Sequence, residues 1–222
     1  MAVFDAEGSH GMRHVWVWMA LWMLGIYAGI AAGGEAVKLP TPQVTGGMPL
    51  MAALKSRHST REFESRPLPA QVLSNLLWAA QGVNRPDSGK RTAPTARDWR
   101  EIDVYVVLPE GVSVYEPATH SLRRVLDKDI RALTGTQDFP ATAPLNLVYV
   151  ADLGRMDTSD DNKRLYSATD TGFIAQNVYL FCASAGLGTV VRGSVDREAL
   201  AAALGLKASQ QIILAQSVGY PK

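Results

Sequence analysis

The stretch IDVYVVLPEGVSVY, residues 102–115, reads as two short strands around a turn. Ile102 to Leu108 alternates and is rich in Val and Tyr, Pro109-Glu110-Gly111 supplies the turn, and Val112 to Tyr115 returns. Such a pair is a β-hairpin, so the sheet is antiparallel where it begins. Working outward, LNLVYVA at 145–151 is a short apolar run that predicts a central strand, and Thr189–Arg192 and Ile212–Val218 predict two more. Helical spacing of Val72, Leu73, Leu76, Leu77 and Ala80 predicts a helix that starts after Pro69, where a missing N–H costs nothing, and ends near Gly82. Pro49–Arg57 predicts a first helix with Leu50, Met51 and Leu54 on one face; Arg123–Leu133, Lys163–Ala185 and Asp196–Leu204 predict three more. Gly186 and Gly205 stand where helix C-caps belong. Residues 84–101 (NRPDSGKRTAPTARDWRE) read as a long loop, and loops of that length in a compact domain are usually functional or disordered. The mixture predicts an α+β fold: a central, mostly antiparallel sheet flanked by helices.

The chain has 222 residues and 24.0 kDa, with 22 basic and 21 acidic side chains. A formal charge of +1 gives no basic excess of the kind nucleic-acid binding requires. A single cysteine, Cys182, excludes an internal disulfide framework and reads as a core residue on the longest helix. His10, His14, His58 and His120 make no metal-ligand spacing, so no metal site is expected.

Val15–Ala32 is an uncharged run of 18 residues that ends in Ala31-Ala32 and continues into Gly33-Gly34. It reads as a secretory signal cleaved after Gly34 or Ala36, or as an uncleaved N-terminal membrane anchor. Asp5 and Glu7 make a poor leader for such a segment, whereas Met12-Arg13-His14 makes a short basic one. Translation is therefore expected to start at Met12, and N-terminal mass spectrometry of the precursor should find residues 1–11 missing. Neither a lipid-attachment cysteine nor a twin arginine is present, so export would use the general route for unfolded chains, and a cofactor would bind afterwards. Residues 1–36 are read as signal or anchor, 37–47 as a polar tether, and 48–222 as one domain, exported to the periplasm or held at the membrane by the N-terminal segment alone.

Three segments carry candidate chemistry. Arg57-His58-Ser59-Thr60-Arg61 places two guanidinium groups around two hydroxyls and an imidazole. Planar guanidinium forks match phosphate oxygens, although in isolation the run reads as well as a solvated basic loop. Arg91-Thr92-Ala93-Pro94-Thr95-Ala96-Arg97 has small residues around a proline, which would let a flat ring approach the backbone, or would make a plain surface turn. Gly186-Leu187-Gly188-Thr189-Val190-Val191-Arg192-Gly193 runs from helix to strand, the reverse of a dinucleotide fingerprint. Trp78 and Trp99 could line a pocket or simply pack, and Gln176 and Asn177 could face an interface or solvent. No catalytic triad is suggested, and no catalytic side chain is expected.

In this order the segments resemble the nitroreductase family of FMN-dependent oxidoreductases, over Leu50 to Lys222. Arg57-x-Ser59-x-Arg61 is similar to the family's N-terminal phosphate-binding element. Arg91-Thr92-Ala93-Pro94-Thr95-Ala96 is similar to its Ala-Pro-Ser segment, most closely in the SagB-type dehydrogenase branch. Asp170-x-Gly172 with Ala175-Gln176-Asn177, Gly186-Leu187-Gly188-Thr189 and Gly219-Tyr220-Pro221 complete the likeness.

The resemblance implies FMN at the interface of a homodimer, its phosphate on Arg57, His58, Ser59 and Arg61. Pro94, Thr95, Ala96 and Arg97 would border the ribityl chain and ring, and the backbone at Arg192 and Gly193 would approach N5. It implies hydride transfer between a donor such as NAD(P)H and a small nitro, quinone or similar acceptor, or dehydrogenation of a small substrate. A donor other than NAD(P)H is expected if the protein works outside the cytoplasm. An exported flavin-binding module without turnover is the alternative, distinguished by bound flavin that no donor or acceptor cycles. A fold that has lost its cofactor is disfavoured by the basic cluster. Several departures bear on this reading. Thr95 replaces the commoner serine. Arg97-Asp98-Trp99-Arg100-Glu101 replaces the Asn-x-Gln-Pro-Trp of simple nitroreductases. Lys163 and Tyr166 are not the adjacent pair of azoline-oxidising members. Lys222 is the one basic residue at the tail position.

Overall fold

The computed structural model describes residues 36–222. The expected signal or anchor and the start at Met12 concern residues outside that range. In chain order the elements are β1 Ala36–Lys38, α1 Leu50–Ser56, α2 Ala70–Gln81, β2 Val83–Arg85, β3 Lys90–Arg91, β4 Ile102–Leu108, β5 Gly111–Glu116, β6 Ser121–Leu126, α3 Phe139–Thr142, β7 Leu145–Asp152, α4 Asp160–Ala185, β8 Gly188–Arg192, α5 Arg197–Leu204 and β9 Gln210–Gly219. Seven strands form one sheet in the order β1-β6-β5-β4-β7-β9-β8, antiparallel at every pairing.

Side chains on a strand point alternately to its two faces. In β4, Val104 and Val106 enter the core under α2 and α4, while Tyr105 and Val107 enter the core that α5 covers. In β7, Leu145, Leu147 and Tyr149 take the first side and Val148 and Val150 the second. Both faces of the central strands are therefore buried, which is why 145–151 reads as an unbroken apolar run. Helix α2 buries Leu73, Leu76 and Leu77, and α4 adds Ile174, Val178 and Cys182.

Three expectations need correction. The segment predicted to be a helix over Arg123–Leu133 is strand β6 followed by a single 3-10 turn at Arg131–Thr134. Its residues are good helix formers, but pairing of Leu122 with Tyr115 and Arg123 with Val114 extends the hairpin and overrides propensity. The 84–101 loop contains a small hairpin, β2 with β3, turned at Pro86–Gly89. Where the reading passes from signal or anchor (to residue 36) to tether (from residue 37), Ala36–Lys38 is an edge strand on β6.

The turn from β5 to β6 is pinned by His120. Ser74 Oγ donates to the Pro40 carbonyl (2.6 Å), so its 2.8 Å contact with Nε2 of His120 must be donated by the ring. Nδ1 is then the acceptor for the Tyr115 hydroxyl at 2.8 Å. The imidazole is neutral here, and burial holds its pKa below the ordinary 6.5. Because the unfolded chain takes up that proton more readily, this contribution to stability is present above pH 6.5 and is lost as pH falls through the folded value. His120→Ala strands the buried Tyr115 hydroxyl. It is expected to cost about 2 kcal/mol in chemical denaturation at pH 7.5, and less at lower pH. A cost that grows on acidification would refute the neutral ring.

Candidate functional site

Helix α4 is the spine on which both candidate segments rest. Ser159 caps its start by accepting from Asn162 N, and Gly186 closes it in the left-handed conformation. Toward its C-terminal end, the Tyr179 hydroxyl takes the Val191 amide at 3.0 Å and bonds Ser59 Oγ at 2.9 Å. The Arg57 guanidinium lies 5.2 Å over the Tyr179 ring. The Thr60 amide donates to the Thr189 carbonyl at 2.9 Å, attaching the loop to the outer edge of β8. That approach requires Gly188, where a Cβ would come within 2.8 Å of the Thr60 side chain. The loop is tied again by the Phe63–Pro221 bridge and by Glu64 N on the Tyr220 carbonyl.

Arg57 is half-buried, whereas His58, Ser59 and Arg61 are exposed. Among the described residues neither Arg57 nor Arg61 meets a carboxylate; the ion pairs engage Arg66, Arg100, Arg123, Arg124, Arg131, Arg155, Lys163 and Arg164 instead. His58 Nδ1 is 2.8 Å from the Ser56 carbonyl, and its ring lines a cavity of about 170 Å³ with Tyr179, Cys182, Leu187 and Thr189. Cys182 is buried as expected, and burial pushes its thiol well up from the ordinary value.

The second segment sits nine residues earlier on α4, about 14 Å along the axis at 1.5 Å per residue. Asp170 Oδ2 accepts the Ala96 amide at 2.9 Å. Pro94 is exposed, and with Arg85, Lys90, Arg91, Thr95 and Asp98 it lines a cavity of about 260 Å³. Arg91 is turned inward onto Gln81 (3.1 Å), and burial followed by the charge of Arg100 lowers its pKa. Arg97, Asp98 and Arg100 have φ of 50°, 58° and 51°, a rare region for residues with a side chain. Beside them Trp99 packs edge-on against Tyr166 (5.7 Å) and donates to Asp157 (2.6 Å).

Arg192 points to the other face of the sheet. Its guanidinium is buried and donates to the Thr134 carbonyl (2.6 Å), Asn146 (3.1 Å) and Ser217 (3.1 Å), with Nε unpartnered. Desolvation without an acidic partner lowers its pKa to about 10, so it stays charged at neutral pH. Gly193 is exposed at the strand's end.

The structure thus brings Arg57, Ser59 and the β8 backbone together through Tyr179, and anchors Thr95 and Ala96 separately near Asp170. Within one copy, the cavity beside His58 contains none of residues 94–97, and the cavity at Pro94 contains none of residues 57–61. Sequence reasoning had no signal for Tyr179 as the partner of Ser59, 120 residues away, nor for Glu101 as the neighbour of Asp170.

Comparison with known proteins matches residues 54–220 to the Nitroreductase family. A candidate nitroreductase of Methanocaldococcus jannaschii is 35% identical over 172 residues, spanning 72% of this chain and 86% of that protein. The crystal structure of a candidate nitroreductase from Ralstonia eutropha JMP134 is 46% identical, with a TM-score of 0.81 over 86% of this chain and 93% of that one. An NADPH:FMN oxidoreductase from Vibrio harveyi, complexed with NAD+, shares the fold at 18% identity and a TM-score of 0.59, over 78% and 69% of the two chains.

Proposed function

The chain belongs to the Nitroreductase family, and from that membership we propose that it is an FMN-dependent oxidoreductase of the SagB-like kind, working as a homodimer. The observation that carries this reading is the pair Arg57 and Arg61 around Ser59, without a carboxylate partner among the described residues and fixed to β8. The donor set suits a phosphate dianion: two guanidinium forks, an imidazole and a hydroxyl. Tyr179 orients the Ser59 hydroxyl, and the Thr60–Thr189 bond keeps the loop at the strand edge. Pro94, Thr95, Ala96 and Arg97 would line the ring side, and Arg192 and Gly193 would bring the end of β8 to its N5 edge. FMN, when bound, supplies acceptance and donation of a hydride at N5, with NAD(P)H as a donor and a small nitro, quinone or similar compound as acceptor. The residues of this chain bind and orient; no side chain is asked to transfer a proton.

A second copy supplies what one copy lacks. Leu50, Met51 and Leu54 on α1 are 61%, 75% and 44% exposed, and Leu165 and Phe173 on α4 are 59% and 44% exposed. These apolar faces are where a partner would close the site. Export, or anchoring by Val15–Ala32, belongs to the same reading; it would make a reduced quinone or a membrane redox partner a natural donor.

The test is the absorbance of the purified protein with and without added FMN. It is expected to be yellow, to bleach anaerobically with a donor, and to have twice the mass of one chain by light scattering. Colourless protein that takes up no FMN would end this reading, and bound flavin that never cycles would leave a binding module.

A further inference from the structure

We propose that Glu101 and Asp170 hold one proton between them and act as a positioning pair for the Thr95–Ala96 segment. Glu101 precedes β4 and is fully buried; Asp170 lies midway along α4 and is 3% exposed. Glu101 Oε2 accepts from Thr95 Oγ1 at 3.2 Å, and that hydroxyl accepts the Arg100 amide at 3.1 Å. Asp170 Oδ2 accepts the Ala96 amide at 2.9 Å. Each acid thus grips one of two consecutive residues of the segment.

The remaining oxygen, Glu101 Oε1, is buried without any donor. An ionised pair would leave that oxygen bare beside a second carboxylate, an arrangement that costs far more than an unpaired neutral group. A proton on Oε1 turns it into a donor, and Asp170, which lines the same gap and interacts with Glu101, is the acceptor available to it. The gap bounded by Gln81, Arg91, Thr95, Glu101 and Asp170 is about 10 Å³, at the lower limit for a single water, so hydration is a poor substitute.

The nearby cations are committed elsewhere. Arg91 bonds Gln81, Arg100 pairs with Asp98, and Arg155 pairs with Asp103 and Asp152. Thr171 on α4 is buried with its hydroxyl unpartnered, and it is neutral. Among the described residues no cation is therefore paired with either acid. In agreement, burial, reinforced by the Asp170 charge, pushes the Glu101 carboxyl up to about 7. Losing the proton puts two anions under the segment and loosens its hold.

The proposal rests on the FMN reading only for its effect on binding, and the two can be separated. Infrared difference spectra of the purified protein without flavin, wild type minus Glu101→Gln, should show a protonated-acid carbonyl band that disappears with a midpoint near pH 7. Asp170→Asn, which removes the neighbouring charge, should move that midpoint to lower pH. Absence of the band, or a midpoint unmoved by Asp170→Asn, overturns the shared proton. The amide of Glu101→Gln can still accept from Thr95 and donate to Asp170, so the fold is kept. Between pH 6 and pH 8 the FMN affinity of the wild type should weaken severalfold more than that of Glu101→Gln, since the phosphate and His58 are common to both. Equal pH dependence in the two proteins overturns the positioning role. Protein that binds no FMN at any pH defeats the functional reading alone, since the infrared result still decides the proton.

Discussion

Arg57→Ala combined with Arg61→Ala is expected to weaken FMN binding by about a hundredfold to ten-thousandfold. Hydrogen bonds to charged groups contribute about 1.5–3 kcal/mol each, and two lost together amount to about 3–6 kcal/mol. Neither side chain is fully buried, and neither closes an ion pair with a carboxylate among the described residues. The double variant should therefore fold as the wild type does, losing at most the stacking of Arg57 on Tyr179, about 0.5–1 kcal/mol. Titration of the purified proteins with FMN, followed by flavin fluorescence, measures the effect. Lysine at both positions should restore only part of the affinity, because a point charge cannot present a fork to two oxygens. Unchanged occupancy in the double alanine variant would refute the phosphate role of this loop.

Gly111→Ala is expected to be the most damaging small substitution in the sheet. Gly111 ends the turn between β4 and β5 with φ of 137°, a region that residues with a side chain rarely enter. A Cβ there would stand 2.2 Å from the Leu126 carbonyl oxygen of β6, and 3.2 Å from Asp127 Cα. Both are backbone atoms, the first at the paired end of β6 and the second next to it, and they cannot swing aside as a flexible side chain would. Conformational strain of about 1–3 kcal/mol adds to overpacking of about 1–3 kcal/mol, so a loss of about 2–6 kcal/mol is expected in urea or guanidinium denaturation. A loss below 1 kcal/mol would mean that the hairpin can shift its register.

The comparison of Gly111 with Arg123 shows what a sequence makes legible. Pro109-Glu110-Gly111 announces its turn because the backbone conformation itself demands those residues. Arg123-Arg124-Val125-Leu126 announces nothing, since its strand form is imposed by Val112, Ser113 and Val114 across the hairpin. The site divides in the same way. Arg57, Ser59 and Arg61 lie within five residues and could be recognised as a cluster. Tyr179, which holds Ser59, and Asp170, which faces Glu101, are brought to their partners only by packing of α4 on the sheet. The exposed Leu50, Met51 and Leu54 have the spacing of a buried helix face, and sequence spacing cannot tell a core from a subunit contact.

The ties at Phe63–Pro221, Glu64–Tyr220 and Lys222–Glu62 have a temporal meaning. A chain emerging from a ribosome or a translocation channel presents Arg61 about 160 residues before Pro221, and closing contacts across such a separation is slow. Until that late clasp is made, the basic loop is held only by the Thr60–Thr189 bond to β8 and by Ser59 and Arg57 on Tyr179. An anion gripped by Arg57 and Arg61 is therefore held by a fully clasped loop only after residues 220–222 have joined the fold, and a product lacking them should load more weakly.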